Sequence, residues 1–485
     1  MAIHGGASCR LAAVCLLLEL LALQGGAGAA EPLVPAMFVF GDSMVDVGNN
    51  NFIDKCDISC KADYPHFGVD YLDHAPTGRF SNGYNLADHL AQELGFAESP
   101  PPFLSLSNAS QWMSKGINFA SGGSGLLLKT GNDGRTCTQV LSIAEQVSNF
   151  TNLAWQWAAS GDNRSADLLS KSLFFISAGS NDLFEYIDLG PHDNDTKLLQ
   201  DLVASYAAYL RDLYDVGARK FSVVSTSLVG CCPSQRLIAH RLQDPKGAID
   251  EYGCLAPLNS LSYQLYPMFA AMLQDLSVEL PGMNYSLANS TKMAEWVLET
   301  PAEPSLNDFT FTVLDTACCG AGQFGAEYDC NFSAPLCPNR SNHIFWDDYH
   351  PTEALTQLAA KMIFRDPFKL FAHPITVQQL ERKWMGLKDV LFKIARMLRR
   401  WIPLMQQETG MCMEEVIAQL QQKASTPPQL MWYNKMGSSS GLAPSGVHYT
   451  DSRVVLRQPD LFSESLDLEV STISVLGGTT SVPSD

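Results

Sequence analysis

The 485-residue sequence has little charge and less positive charge. Charged residues make up 17%, and Lys and Arg number 32 against 51 Asp and Glu, for a formal net charge of −19. A surface of that sign repels nucleic acid and anionic lipid, so neither is an expected partner. Long apolar runs are also missing. After residue 30 no stretch reaches the ~20 apolar residues of a membrane-spanning helix, so no integral span is expected. There is no internal repeat. The one Gly-rich run, Gly122-Gly-Ser-Gly125, is not followed by the Gly-Lys-Ser/Thr of a phosphate loop. Cys56-x3-Cys60 resembles half a zinc site, but no second Cys/His pair stands beside it at zinc spacing. No metal and no other cofactor is expected. With 46% apolar residues, what remains is an ordinary globular chain.

The beginning of the chain reads as an export signal. Arg10 precedes an apolar run from Leu11 to Leu18, which passes Glu19 to Leu23 and gives way to small residues up to Ala30. That order marks a cleaved leader over residues 1–30; the run is too short, and too broken by Glu19, for a membrane anchor. Cys9 and Cys15 leave with it. Cys56, Cys60, Cys137, Cys231, Cys232, Cys254, Cys318, Cys319, Cys330 and Cys337 remain in the main body, an even set that suits disulfides in an oxidising compartment. Buried thiols in a cytosolic protein are the alternative. Asn-x-Ser/Thr sequons at Asn108, Asn149, Asn163, Asn194, Asn284, Asn289, Asn331 and Asn339 favour a surface-glycosylated secreted product.

Short continuous apolar runs at 37–40, 117–120, 173–177, 221–225 and 311–314 have the character of strands buried on both faces. Between them, 85–94, 143–157, 198–216 and 258–280 carry helical spacing. The alternation predicts an α/β parallel sheet with helices on both sides, its chemistry at the carboxyl ends of the strands. This domain is expected over 31–380. A helical extension over 381–424 and a Pro/Ser/Gly-rich disordered tail over 425–485 follow.

Ser43 directly follows the first predicted strand, in Gly41-Asp-Ser-Met-Val-Asp46. A serine hydroxyl needs a base to accept its proton; a simple turn would favour Asp and Ser here as well. Two Asp-x-x-His segments offer a base, Asp63 with His66 and Asp347 with His350. Asp347 and His350 follow the last predicted strand and precede a helix near Thr352. From there the imidazole can reach back over the sheet edge, with Asp347 holding its tautomer. His66 reads as a loop residue. A Gly-rich turn at 121–125 and the segment Gly179-Ser-Asn-Asp182 supply backbone N–H and side-chain amide donors for a developing oxyanion, or are plain turns.

Taken together, Phe38-Val-Phe-Gly-Asp-Ser-Met-Val-Asp-Val-Gly-Asn-Asn50, Gly78-Arg-Phe-Ser-Asn-Gly83, Asn118-Phe-Ala-Ser-Gly-Gly-Ser-Gly125, Ile176-Ser-Ala-Gly-Ser-Asn-Asp182 and Phe345-Trp-Asp-Asp-Tyr-His-Pro-Thr-Glu353 resemble the ordered blocks of plant GDSL esterase/lipases, in the SGNH hydrolase superfamily. The resemblance runs from about Glu31 to Leu380. It implies a flavodoxin-like three-layer α/β/α sheet and a secreted serine esterase or lipase working through an acyl-serine. Ser43, Asp347 and His350 would form its triad. Asn181 and the Gly122 N–H, or that of Gly123 beside it, would join the Ser43 N–H in the oxyanion hole. The substrate would be a small acyl ester or, on the same fold, an acetylated cell-wall polysaccharide; a non-catalytic secreted glycoprotein in binding or defence is the remaining reading. The apoplast or cell wall is the expected location, with the vacuole also open. Cys318-Cys319-Gly320 resembles the double-cysteine segment of that family.

Two features depart from familiar patterns. The Gly-x-Ser-x-Gly elbow of α/β hydrolases occurs only as Gly437-Ser-Ser-Ser-Gly441, with no strand before it and no helix after it. The chain also continues past the family's usual end. Leu387, Val390, Leu391, Ile394, Met397, Leu398 and Trp401 share a helical face among Lys388, Arg396, Arg399 and Arg400. Such a basic amphipathic helix suits a membrane surface or a partner; a helix packed on the domain, or a mis-joined segment, accounts for the same pattern. Cys412 would be an unpaired thiol there.

Overall fold

The structure is a computed structural model. It describes residues 31–382, apart from 133–136, 138, 163, 189–193, 243–246 and 301–308, together with Ala418. The expectations for the leader, for Asn163, for the amphipathic helix with Cys412 and for the tail lie outside the described residues.

Five strands form the parallel sheet: β1 (Met37–Gly41), β2 (Gly116–Asn118), β3 (Leu173–Ser177), β4 (Lys220–Val224) and β5 (Asn284–Ala288). Their order is β2-β1-β3-β4-β5, and a short strand, Ala372–His373, closes the far edge antiparallel to β5. The chain leaves β1 to one side for β2 and crosses to the other for β3, so β1 and β3 flank the point where strand order reverses. Ligands of open α/β sheets bind at that point.

Alternate residues of each strand enter different cores, which is why the sequence shows unbroken apolar runs. Phe38, Phe40, Phe174, Ile176 and Phe221 pack toward α2 (Ile143–Ala159), α5 (Asp195–Asp215) and α7 (Ala256–Glu279). Met37, Val39, Leu173 and Phe175 pack toward α1 (Leu86–Glu93), α8 (Ser290–Glu299) and α9 (Glu353–Arg365). Three shorter helices lie between these: α3 (Ser165–Lys171), α4 (Ser180–Asp188) and α6 (Pro233–Arg241).

The strand expected over 311–314 does not join this sheet. Val313–Ala317 instead pairs in parallel with His343–Phe345 in a separate two-stranded sheet (β6 and β7), while Phe309 and Phe311 bury in the core that holds α9. The fifth sheet position belongs to β5, whose polar start, Asn284-Tyr-Ser, hides it from apolar patterning. At the other end, the helix α10 (Val377–Arg382) buries Leu380 and pairs Glu381 with Lys220 of β4, an ion pair closed off from solvent. Among the described residues no helix is long and apolar enough to cross a membrane.

Candidate active site

β1 ends at Gly41, where a Cβ would lie 2.2 Å from the Ser177 carbonyl oxygen, so this position admits only glycine beside β3. Gln146 of α2 accepts from the Gly41 N–H and donates to the Gly41 carbonyl, each at 2.9 Å. The Val45 and Asp46 N–H groups then turn back onto the Asp42 carbonyl. This turn presents Ser43 at the carboxyl end of the sheet. The Asp42 carboxyl beneath it is 2% exposed, and burial pushes its pKa up to about 7 against the opposing Met44 N–H and His350.

His350, the expected base, comes from outside the central sheet. β7 leads into Trp346–Pro351, a loop closed by Trp346 N–H to His350 O at 2.7 Å and Thr352 N–H to Ile344 O at 3.0 Å. Two disulfides, Cys318–Cys337 and Cys319–Cys330, brace the segment that pairs with it, and the Cys319 N–H donates to Trp346 O at 2.7 Å. Asp347 accepts from the His350 and Tyr349 backbone N–H groups and lies 2.8–2.9 Å from His350 Nδ1 through both carboxylate oxygens. His350 Nε2 sits 2.8 Å from Ser43 Oγ, across 307 positions of sequence. The ring packs against Phe80, centroid to centroid 4.9 Å with the planes tilted by 36°. Burial alone would lower its pKa, but the Asp347 carboxylate, with Asp348 and Asp42 further off, leaves it raised. Asp63 and His66, the other matching pair, make no hydrogen bond to each other, and His66 Nε2 has no partner.

The donors expected around an oxyanion divide. The Ser43 N–H has no partner among the described residues. Asn181, at the start of α4, uses one amide hydrogen on Ser124 O at 2.9 Å and keeps the other. The Gly122 N–H does not fit the expectation: it donates to Asp46 Oδ2 at 2.9 Å. Next to it, Gly123 adopts φ +85° and its N–H takes no partner among the described residues. Gly122, Gly123 and Asn181 all line the cavity that opens at Ser43.

Sequence reasoning missed the residues that hold these loops. Asp46 accepts from the Gly48, Asn49 and Gly122 N–H groups, and burial still moves its pKa up to about 6. Asn49 donates to Asn118 O and Ala120 O, and Asn50 to Cys60 O and Gly122 O. Asp182 gathers Leu126 N–H, Leu127 N–H and the Thr130 hydroxyl, also with a pKa raised by burial to about 6. The available signal was their place beside Ser43 and Asn181, within the same blocks.

The cavity measures about 490 Å³. Besides the loops of Ser43, Gly122, Asn181 and His350 it is bounded by Phe184, by α8 and α9, and by β7. Eight of the ten main-body cysteines pair: Cys60 with Cys137 and Cys231 with Cys254, besides the two bridges above. Cys56 and Cys232 stay as buried thiols, so the even set is not wholly a disulfide framework. Cys231, Asp250 and Cys254 cluster closely enough for a metal, but the two sulfurs are bonded to each other and offer no thiolate. Of the sequon residues, Asn108, Asn194, Asn331 and Asn339 are exposed and Asn149, Asn284 and Asn289 half-buried.

Comparison with known proteins places the chain in a family. A model of the family described as "GDSL-like Lipase/Acylhydrolase" matches residues 37–363. Among similar proteins of Arabidopsis thaliana, GDSL esterase/lipase At5g55050 is 34% identical over 72% of this chain and 90% of its own length. GDSL esterase/lipase At1g71691 is 34% identical over 72% and 86%, and GDSL esterase/lipase At4g18970 is 29% identical over 77% and 100%. The chain belongs to the GDSL-like lipase/acylhydrolase family.

Proposed function

We propose that the protein is an exported serine hydrolase that cleaves carboxylic esters through an acyl-serine. The observation that carries the reading is the 2.8 Å approach of His350 Nε2 to Ser43 Oγ, with Asp347 on the far side of the ring. Ser43 Oγ attacks the ester carbonyl as His350 takes its proton. The tetrahedral oxyanion receives the Ser43 and Gly123 N–H groups and the free amide hydrogen of Asn181, each such donor worth about 3 kcal/mol of barrier. His350 then returns the proton to the leaving alkoxide, and the alcohol departs. Water, activated by the same imidazole, attacks the acyl-serine and releases the acid and Ser43. Asp347 orients the ring and stabilises the imidazolium. The disulfides and the exposed sequon residues support export, as they suit an oxidising, glycosylating route.

A fluorophosphonate probe tests this directly. It should form a covalent adduct on Ser43 of the wild-type protein, and Ser43→Ala should abolish both the adduct and turnover of p-nitrophenyl butyrate, a loss of roughly 10⁴-fold or more. Unchanged turnover in a folded Ser43→Ala protein would overturn the assignment.

A further inference from the structure

Ser121 to Ser124 form a β-turn closed by the Ser124 N–H on Ser121 O at 3.1 Å. Gly123, its third residue, has φ +85°, the value of a type II turn. Type I and type II turns share their ends and differ by a flip of the central peptide plane. That plane carries the Gly122 carbonyl on one edge and the Gly123 N–H on the other, pointing opposite ways because the peptide is trans. A flip to type I would exchange them. The Gly123 N–H is the donor offered above to the oxyanion, so the flip would aim a carbonyl oxygen at the developing negative charge.

Packing alone does not prevent the flip. Neither glycine has space for a Cβ: at Gly122 it would lie 2.4 Å from Phe80 Cε2, and at Gly123 2.8 Å from Cys137 Sγ. Those walls hold the two Cα atoms, and rotation of the plane between them barely moves either one. With no side chain on either flank, the backbone itself resists the rotation little. What holds the plane is Asn50. Its Nδ2 donates to Gly122 O at 2.9 Å and to Cys60 O at 2.7 Å, and its Oδ1 accepts from Ser121 Oγ. The residue is fully buried, with both amide hydrogens and the oxygen engaged. Turning the amide over would face its oxygen to two carbonyls. Ser121 Oγ is fixed in turn by the Leu141 N–H at 3.0 Å.

We propose that Asn50 is a positioning residue for ester hydrolysis: by holding Gly122 O it selects the type II turn and so aims the Gly123 N–H at the oxyanion. This deepens the serine-hydrolase reading and rests on it. Asn50 acts through the turn rather than on the substrate. Its effect belongs to the transition state, because the full negative charge that the N–H meets develops only there. Losing the grip of Asn50 should therefore lower kcat and leave KM nearly alone.

The test is Asn50→Asp in the full-length protein, which keeps the shape and the acceptor for Ser121 but loses both donations. Fluorophosphonate labelling of Ser43 first counts the competent sites, so that misfolded protein is left out of the rate. Turnover of p-nitrophenyl butyrate per labelled site should fall about 10²-fold, with KM within about threefold. Trifluoromethyl butyl ketone gives a second readout. Ser43 Oγ adds to its carbonyl carbon, His350 takes the proton, and the carbonyl oxygen becomes an oxyanion; the variant should bind it more weakly by a similar factor. A merely structural Asn50 would lower Tm and the number of labelled sites, with kcat per site and ketone affinity near wild type, and that result overturns the proposal. A raised KM with kcat unchanged also overturns it. If Asn50→Asp does not fold, Ser121→Ala decides. It releases Asn50 Oδ1, and should lower kcat per site and ketone affinity together, at least about fivefold; no change in either overturns the proposal. If the wild type is neither labelled nor active, the hydrolase reading itself fails and takes the proposal with it.

Discussion

The two halves of the site are held by different means. Ser43 stands on a loop rooted in the middle of the sheet, where Gln146 clamps Gly41 and Asp46 collects three backbone N–H groups, all buried. His350 rides on a loop outside that sheet, attached through the two-stranded β6–β7 ladder and braced by Cys318–Cys337 and Cys319–Cys330. The first arrangement is hydrogen-bonded from within; the second is cross-linked from beside. A triad needs both halves registered to a few tenths of an ångström. The half without a central strand carries two disulfides in its ladder, where the other half has Cys60–Cys137 beside its Asn50 and Gly123 loops.

The sharpest way to break the comparison is to remove the base. His350→Ala should lower kcat/KM on p-nitrophenyl butyrate by roughly 10⁴-fold or more, while His66→Ala leaves it within about twofold. The reverse ranking would move the base to the other Asp-x-x-His segment. Next in size is Asp347→Asn, with an expected loss of about 10²–10⁴-fold. In the wild type the imidazole must be neutral to accept the Ser43 proton, and its pKa is raised above the usual histidine value. Activity should therefore rise with pH through a midpoint above that value, and Asp347→Asn should shift the midpoint down. A pH profile that does not move would leave the carboxylate with no electrostatic hold on the ring.

A smaller effect is expected from the bracing. The double variant Cys319→Ala/Cys330→Ala should lose about 2–4 kcal/mol of stability and about tenfold in kcat, because a slight misplacement of the base is costly. Measured well below its Tm, unchanged kcat would mean that β6, β7 and Cys318–Cys337 position the loop without that bridge.

Much of this was legible in the sequence, for a physical reason. Strands buried on both faces must be apolar without interruption, so β1, β3 and β4 stand out at 37–40, 173–177 and 221–225. Ser43 follows β1 and Asn181 follows β3 within a few residues, whereas His350 lies beyond β7 in the separate ladder. What the sequence concealed depends on direction or pairing. β5 begins with Asn284 and Ser286 and shows only part of its length as apolar. Gly122 and Gly123 are the same residue type, and only the backbone path sends one N–H to Asp46 and leaves the next free. Cys232 is as plausible a disulfide partner as Cys231 until Cys254 takes one of them.

The two halves share one liability, and it yields the smallest of the expected effects. Asp42 lies under Ser43, and Asp348 lies beside His350; burial raises both to about 7, with Asp347 and Asp329 adding to the rise at Asp348 and His350 opposing it. An unfolded carboxyl titrates near ~4. Between those values the folded protein binds more protons than the unfolded one, so unfolding free energy falls as pH rises from about 4 to about 7. His350, raised as well, has the same sign: its contribution is present at low pH and lost as pH climbs through its folded value. Tm followed from pH 5 to pH 8 should accordingly fall by a few degrees, while kcat/KM climbs over the same interval. Asp42→Asn should flatten part of the Tm slope by removing one of the two carboxyls. A Tm that rises toward pH 8 would mean that the buried carboxyls as a set, Asp46 and Asp182 with these two, are ionised in the folded state throughout. The floor of the nucleophile and the flank of the base would then be held by charge, and the contrast between the two halves would have to be redrawn in those terms.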